Sequence, residues 1–245
     1  MNEEFRYPRR QPIRRALRFV IRTLFNIITD LEIIGSKNLP PSGPLLLVAN
    51  HFSYIDPVLM IRTSPWPVEF VGGFQLPNAP ITVRLIPRLW GYYPVFRGTG
   101  SRYALQAAQA VLSQNGVLGI YPEGGSWATV LRPARPGAAF IATQTGARLL
   151  PMGFDGLTEV FPNLRKGRRA KVTARIGKPF GPFHAEGRGR RRRKQLDEIG
   201  HEIMRHIAEL LPPERQGHYS LDPAIRAAAK GTEIYPWDTL TEGQG

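Results

Sequence analysis

Short apolar runs alternate with amphipathic stretches along most of the chain. Three uninterrupted apolar runs are typical of strands buried on both faces, and a fourth segment alternates apolar and polar residues, as a half-exposed strand does. Strands that alternate with helices predict an α/β fold: one domain with a mostly parallel, mixed sheet flanked by helices. The predicted strands are 45–49, 117–121, 148–154 and 171–176, and the predicted helices are 102–114, 136–145 and 194–211.

The N-terminal segment 12–31 has a basic amphipathic pattern. Its apolar residues recur at spacings of three and four, while Arg14, Arg18 and Arg22 follow one another four apart on a different face. Such a helix can lie in the membrane interface, with its apolar side in the acyl region and its arginines toward anionic headgroups. Packing on the domain's own core is the alternative. We expect membrane contact through these three arginines and Phe25.

The net charge of +14 points to an anionic partner, and its distribution narrows the choice. Residues 1–22 carry a net +5 and residues 165–194 a net +12, so the rest of the chain is slightly acidic. Proteins that wrap nucleic acid more often spread basic residues over the folded surface. The run 187–194, predicted to be a loop, could bind RNA, anionic lipid or an acidic carrier protein, or could simply be solvated.

Several classes of protein are excluded by what the chain lacks. Without cysteine, there is no disulfide, thiolate nucleophile or cysteine metal site. No run of about 18 apolar residues is present for a membrane-spanning helix, and we expect no secretory signal. His201 and His206 lie one residue further apart than the zinc-binding H-E-x-x-H pattern requires, so no metal site is predicted.

A candidate catalytic pair follows the predicted strand 45–49. His51 and Asp56 lie five residues apart, which in a regular helix would place them roughly 140° from each other. Pro57 favours a turn that ends at Asp56, the expected N-cap of a short helix, and this turn lets the two side chains meet. A carboxylate that orients an imidazole is the arrangement that activates a hydroxyl nucleophile. A capping aspartate beside an ordinary loop histidine is the alternative.

Four blocks in order resemble the glycerolipid acyltransferases, the family that includes 1-acylglycerol-3-phosphate acyltransferase. The segment N-H-F-S-Y-I-D-P at 50–57 is similar to the family's N-H-x-S-x-x-D motif. The other three blocks and the closing strand are GYYPVFR at 91–97, YPEG at 121–124, LLPMG at 149–153 and KVTARIGKPF at 171–180. The resemblance covers about residues 32–211.

The resemblance implies roles for individual residues. His51, oriented by Asp56, is the general base, and Arg97 contacts the acceptor's phosphate. Glu123 orients the site, and the N–H groups around Gly124 and Gly125 are expected to stabilise the oxyanion. Ser53 completes the expected substrate-binding residues.

One position departs from the family pattern. The third block usually runs Glu-Gly-Thr-Arg-Ser, whereas this chain has Ser126 in place of the arginine. Arg132 or Arg135 could reach the site from the following loop. Because an arginine held bidentate on phosphate is a major part of binding, the departure bears on the acceptor more than on the reaction.

These observations together predict a peripheral membrane enzyme on the cytoplasmic face. We expect a membrane-associating segment at 1–31, an acyltransferase domain at 32–211 and a Pro/Gly-rich tail at 212–245. The expected reaction transfers an acyl group from acyl-CoA or acyl-carrier protein to lysophosphatidate, with no cofactor and with an anionic membrane surface as partner. The alternatives are the same chemistry on another lysophospholipid, a glycolipid or an aminolipid, or a non-catalytic protein that binds membrane or nucleic acid.

Overall fold

A computed structural model describes residues 5–72, 81–95 and 102–234. Seven strands of these residues form one sheet in the order β1-β7-β6-β2-β5-β3-β4, parallel except for the antiparallel pair β6 and β7. This confirms the predicted mixed, mostly parallel α/β sheet. The strands are β1 (Thr29–Ile34), β2 (Leu45–Ala49), β3 (Glu69–Gly72), β4 (Tyr93–Pro94), β5 (Val117–Ile120), β6 (Arg148–Asp155) and β7 (Ala170–Ile176).

Helices cover both faces of the sheet, and each face has its own apolar core. One core contains residues of α4, α5 and α7, and the other contains residues of α1, α2 and α6. Every residue of the central strand β2 is buried between them, as its unbroken apolar sequence requires. The helices are α1 (Gln11–Ile28), α2 (Asp56–Thr63), α3 (Ile81–Trp90), α4 (Arg102–Ser113), α5 (Pro136–Thr145), α6 (Val160–Arg165), α7 (Gly189–Ala208) and α8 (Pro223–Ala229).

The four predicted strands and the predicted helices all form, and the largest differences are at the ends of the first and last predicted helices; β1, β3 and β4 were not predicted. The N-terminal helix stops at Ile28, because Thr29 already begins β1. Helix α7 begins at Gly189, so most of the arginine run lies in its first turns and the predicted loop is wrong there. Arginine is a strong helix former, which allows the helix to extend into the run.

Helix α1 turns Arg14 toward the protein interior, whereas we expected its arginines to face anionic headgroups. Arg14 is only 2% exposed, and its guanidinium binds the buried carboxylate of Glu69 on β3 at 2.5 and 2.8 Å. Arg18 donates to the carbonyls of Pro65 and Trp66. The prediction that Arg14 and Phe25 contact a membrane is therefore wrong: both are buried in the protein.

The opposite side of α1 is apolar and exposed. Side chains on this side are between 44 and 72% exposed, and Arg22 is exposed on the same helix. Helix α3 packs beside α1 and exposes Leu85 and Leu89. We call the exposed residues of α1 the apolar stripe: Ile13, Phe19, Val20, Leu24 and Ile27.

Within the described residues, no helix has both the length and the hydrophobicity to cross a membrane. Helices α1 and α7, which carry many of the basic residues, pack on opposite faces of the sheet, α1 on one core and α7 on the other.

Candidate active site

The site begins where the central strand β2 ends. Asn50 is fully buried, and its side-chain amide donates to the carbonyl of Phe154 at 2.8 Å while accepting that residue's N–H at 2.7 Å. These two bonds join the end of β2 to the end of β6. They determine the point from which the chain enters the following turn, and so the position of His51.

The turn brings His51 and Asp56 together as predicted. The Nδ1 atom of His51 lies 2.8 Å from Oδ2 of Asp56, which also accepts the N–H of Ser53 at 2.8 Å. Asp56 is the first residue of α2, one position later than the N-cap that we expected. The carboxyl is 1% exposed and the imidazole 17%. Burial raises the pKa of Asp56, while the contacts from His51 and the Ser53 N–H lower it.

Tyr121, at the end of β5, forms one wall of the site. Its ring stacks on the His51 imidazole with 4.3 Å between centroids and 24° between planes. Burial, with a contribution from the Asp56 charge, raises the pKa of the Tyr121 phenol well above its usual value. The phenol is therefore neutral, and the stacked ring holds the plane of the imidazole. Tyr121 belongs to the YPEG block, and nothing in the sequence of that block indicated that its ring stacks on His51.

The Glu123 side chain is 1% exposed and binds the main chain of His51. Its Oε1 accepts the His51 N–H at 2.7 Å, and its Oε2 accepts Nε of Arg132 at 3.1 Å. Burial raises the pKa of the Glu123 carboxyl to about 8, and the Arg132 charge and the N–H donors act in the opposite direction. Glu123 therefore orients the turn that carries the base.

The remaining predicted site residues differ in how well the structure supports their expected roles. Ser53 is buried, and its hydroxyl lies 3.5 Å from the Ile55 N–H, so it shapes the turn. The N–H of Gly124 is not an oxyanion donor, because it already donates to the Tyr121 carbonyl at 3.0 Å. The Trp127 ring leaves no room for a Cβ at Gly125, whose role in oxyanion binding stays a prediction. Arg97 lies outside the described residues.

Comparison with known proteins agrees with this geometry. The model of the family described as Acyltransferase matches residues 30–155, a little over half of the chain. The chain belongs to this acyltransferase family. The match includes the His51–Asp56 turn and the Glu123 loop, and it confirms the resemblance found in the sequence.

Two curated relatives carry the same printed activity. A 1-acyl-sn-glycerol-3-phosphate acyltransferase of Chlamydomonas reinhardtii is 24% identical over 201 residues, which cover 76% of this chain and 54% of that protein. One from Borreliella burgdorferi is 26% identical over 123 residues, 49% of each protein. The chain thus spans about half the length of these relatives.

A solved structure shows the same fold. The 1-acyl-sn-glycerophosphate acyltransferase of Thermotoga maritima superposes with a TM-score of 0.55 at 24% identity, covering 81% of this chain and 83% of that one.

Proposed function

We propose that this protein transfers a fatty acyl group from an acyl thioester to a hydroxyl of lysophosphatidate, giving phosphatidate. The observation that carries the proposal is the bond between His51 Nδ1 and the buried carboxylate of Asp56. This bond holds Nδ1 as the donor, so the lone pair is on Nε2 of a partly exposed imidazole. Family membership and the printed activity of the relatives support the same reaction.

The proposed mechanism needs no covalent intermediate on the enzyme. His51 Nε2 takes the proton of the acceptor hydroxyl as its oxygen attacks the thioester carbonyl. The tetrahedral intermediate then expels the thiolate, which takes the proton from the imidazolium. Asp56 stabilises that imidazolium, and help of this kind accelerates a reaction by about 10²–10⁴-fold. The donor is acyl-CoA or acyl-carrier protein, since both present the same thioester.

A second acceptor class is favoured by the third block. Ser126 stands where the family usually has arginine, and Arg132 does not replace that arginine because it is buried against Glu123. With one fewer arginine in this block to bind phosphate, another lysophospholipid, a glycolipid or an aminolipid is the alternative acceptor.

The apolar stripe supports peripheral association with a membrane, which we place on the cytoplasmic face where the thioester donors are made. Five exposed apolar side chains on one side of α1, with Leu85 and Leu89 of α3 nearby, suit the acyl boundary of a bilayer. Arg22 is exposed on the same helix and suits anionic headgroups. A basic residue near such a surface contributes about 1 kcal/mol.

An acceptor panel tests the reaction. The full chain is incubated with one radiolabelled acyl-CoA and, separately, each lysolipid, and the lipid products are resolved. We expect labelled phosphatidate, lost by at least about 100-fold in His51→Ala. His184→Ala removes an exposed loop histidine and is the matched control. Product from another lysolipid alone would select the alternative acceptor. If neither acyl-CoA nor acyl-carrier protein as donor gives a product with any acceptor, and the protein binds vesicles or oligonucleotides, the result would support a non-catalytic role.

Flotation with anionic vesicles tests the membrane contact. Phe19→Ser combined with Ile27→Ser removes two exposed apolar side chains of α1 and should reduce the bound fraction. Leu221→Ser is the control, since Leu221 is 94% exposed but lies outside the apolar stripe. Equal binding by both variants and the wild type would contradict the assignment of this surface.

A further inference from the structure

Arg132 is a buried arginine whose contacts end on the loop that carries Glu123. It is 1% exposed, and its Nε and main-chain N–H both donate to Oε2 of Glu123, at 3.1 and 3.3 Å. A third donor, Nη2, binds the carbonyl of Gly125. The guanidinium carbon lies 3.6 Å from the centroid of the Trp127 ring. One side chain thus joins three points of the loop.

The C-terminal segment holds Arg132 from the other side. The Leu131 N–H donates to the Arg215 carbonyl at 2.9 Å, and the His218 N–H donates to the Leu131 carbonyl at 3.1 Å. Further along, the carbonyl of Thr232 accepts the indole N–H of Trp127 at 2.9 Å. Leu131 and Trp127, which lie beside the guanidinium, are therefore held by residues 84 to 105 positions further along the chain.

We propose that Arg132, held by residues 215–232, is a positioning residue for acyl transfer: by occupying Oε2 of Glu123 it keeps Oε1 on the main-chain N–H of His51. This inference rests on the proposed function. Arg132 acts through Glu123 and touches no reacting atom. It determines where the base sits relative to the acceptor hydroxyl.

The charges and bonds of Arg132 and Glu123 explain why the arginine is needed to keep Glu123 on the His51 N–H. The bonds to Glu123 from the described residues all come from donors, which suit a carboxylate and leave no acceptor for a protonated carboxyl. Burial already favours the protonated form, and the Arg132 charge opposes it. Without the arginine, Oε2 of Glu123 loses its side-chain donor, so the carboxyl can turn and His51 loses the acceptor that holds its main chain. A base displaced by about 1 Å costs on the order of 100-fold in rate.

Kinetics of four full-length variants test the inference. In Arg132→Met we expect kcat to fall about 100-fold with little change in KM, because the substrate contacts are untouched. In Glu123→Gln the amide oxygen still accepts the His51 N–H, while the buried Arg132 charge loses its counter-ion and no longer holds the acceptor in place. Adding Arg132→Met to this variant should therefore cost less than about 3-fold, a strong departure from additivity. Equal losses in both backgrounds would overturn the inference.

The fourth variant guards against a failure to fold. Arg132→Lys keeps the charge but has a single ammonium in place of the fork, so it cannot hold Glu123 and Gly125 in the same way. We expect its kcat to lie between those of the wild type and Arg132→Met, about 10-fold below the wild type. A wild-type kcat with an altered KM would contradict a positioning role.

A substrate-free measurement separates this inference from the proposed reaction. The amide proton of His51 binds the Glu123 carboxylate, so its NMR shift follows the protonation of Glu123. We expect a transition near pH 8 in the wild type and at higher pH in Arg132→Met, since the lowering effect of the arginine is lost. An unchanged transition would overturn the inference even in an active enzyme. An inactive wild type with the expected change would overturn only the proposed reaction.

Discussion

The buried pair of Arg14 and Glu69 should determine the stability of the docked α1 helix. In Arg14→Met, Glu69 loses two bonds of 2.5 and 2.8 Å, and the Trp90 carbonyl loses the Nε donor at 3.0 Å. Removing one partner of a buried ion pair costs about 3–5 kcal/mol. Because Arg9 keeps its 2.9 Å bond to Glu69, we expect the lower end, about 3 kcal/mol. For a chain of this size, that lowers Tm by roughly 6–12 °C.

Urea unfolding followed by circular dichroism measures this cost. The control is Arg15→Met, which removes an exposed arginine bonded to Gln11 on the same helix and should change stability by less than about 0.5 kcal/mol. Similar unfolding midpoints for the two variants would refute the reasoning, because they would show that the inward arginine does not hold α1 in place.

Three further predictions concern the site. Asp56→Asn should lower kcat by about 10²–10⁴-fold with a near-normal KM, measured by acyl transfer, because an amide does not hold the His51 tautomer; retained activity would contradict the dyad. Asn50→Ala should cost about 2–5 kcal/mol in urea unfolding, because it leaves the N–H and carbonyl of Phe154 buried and unpaired; a neutral result would contradict that role. Since the folded pKa of Glu123 is raised to about 8 from 4.5, the folded state binds more protons between these values, and stability should fall as pH rises through that window. Glu123→Gln should flatten this slope in thermal unfolding at a series of pH values; an unchanged slope would assign it to other groups.

Local patterns were enough to predict four of the seven strands of the sheet and the catalytic turn. The strand 45–49 forms at the predicted residues, because a run of five apolar residues between Pro44 and Asn50 is too short for a helix and is typical of a buried strand. His51 and Asp56 meet because Pro57 and the five-residue spacing act within one turn. Interactions between residues that are close in sequence depend on local residue patterns, and such patterns can be recognised in a single sequence.

The two faces of α1 could also be recognised from the sequence, but which face turns inward could not. That choice depends on Glu69, whose buried carboxylate lies more than fifty residues further along the chain and requires a cation. Arg14 turns inward to supply it, beside the buried Ile21 and Phe25, and the apolar stripe is left exposed.

The same limit applies to Arg132. Its partner Glu123 lies nine positions away across an irregular loop, where no periodicity relates two side chains. The segment that holds this loop lies near the other end of the chain. The sequence alone therefore determined four of the seven strands, the amphipathic helix and the His51–Asp56 pair. Tertiary structure decided which charges are buried and paired, because a buried charge is stabilised by whichever opposite charge the fold brings within a few ångströms, and sequence distance does not encode that proximity.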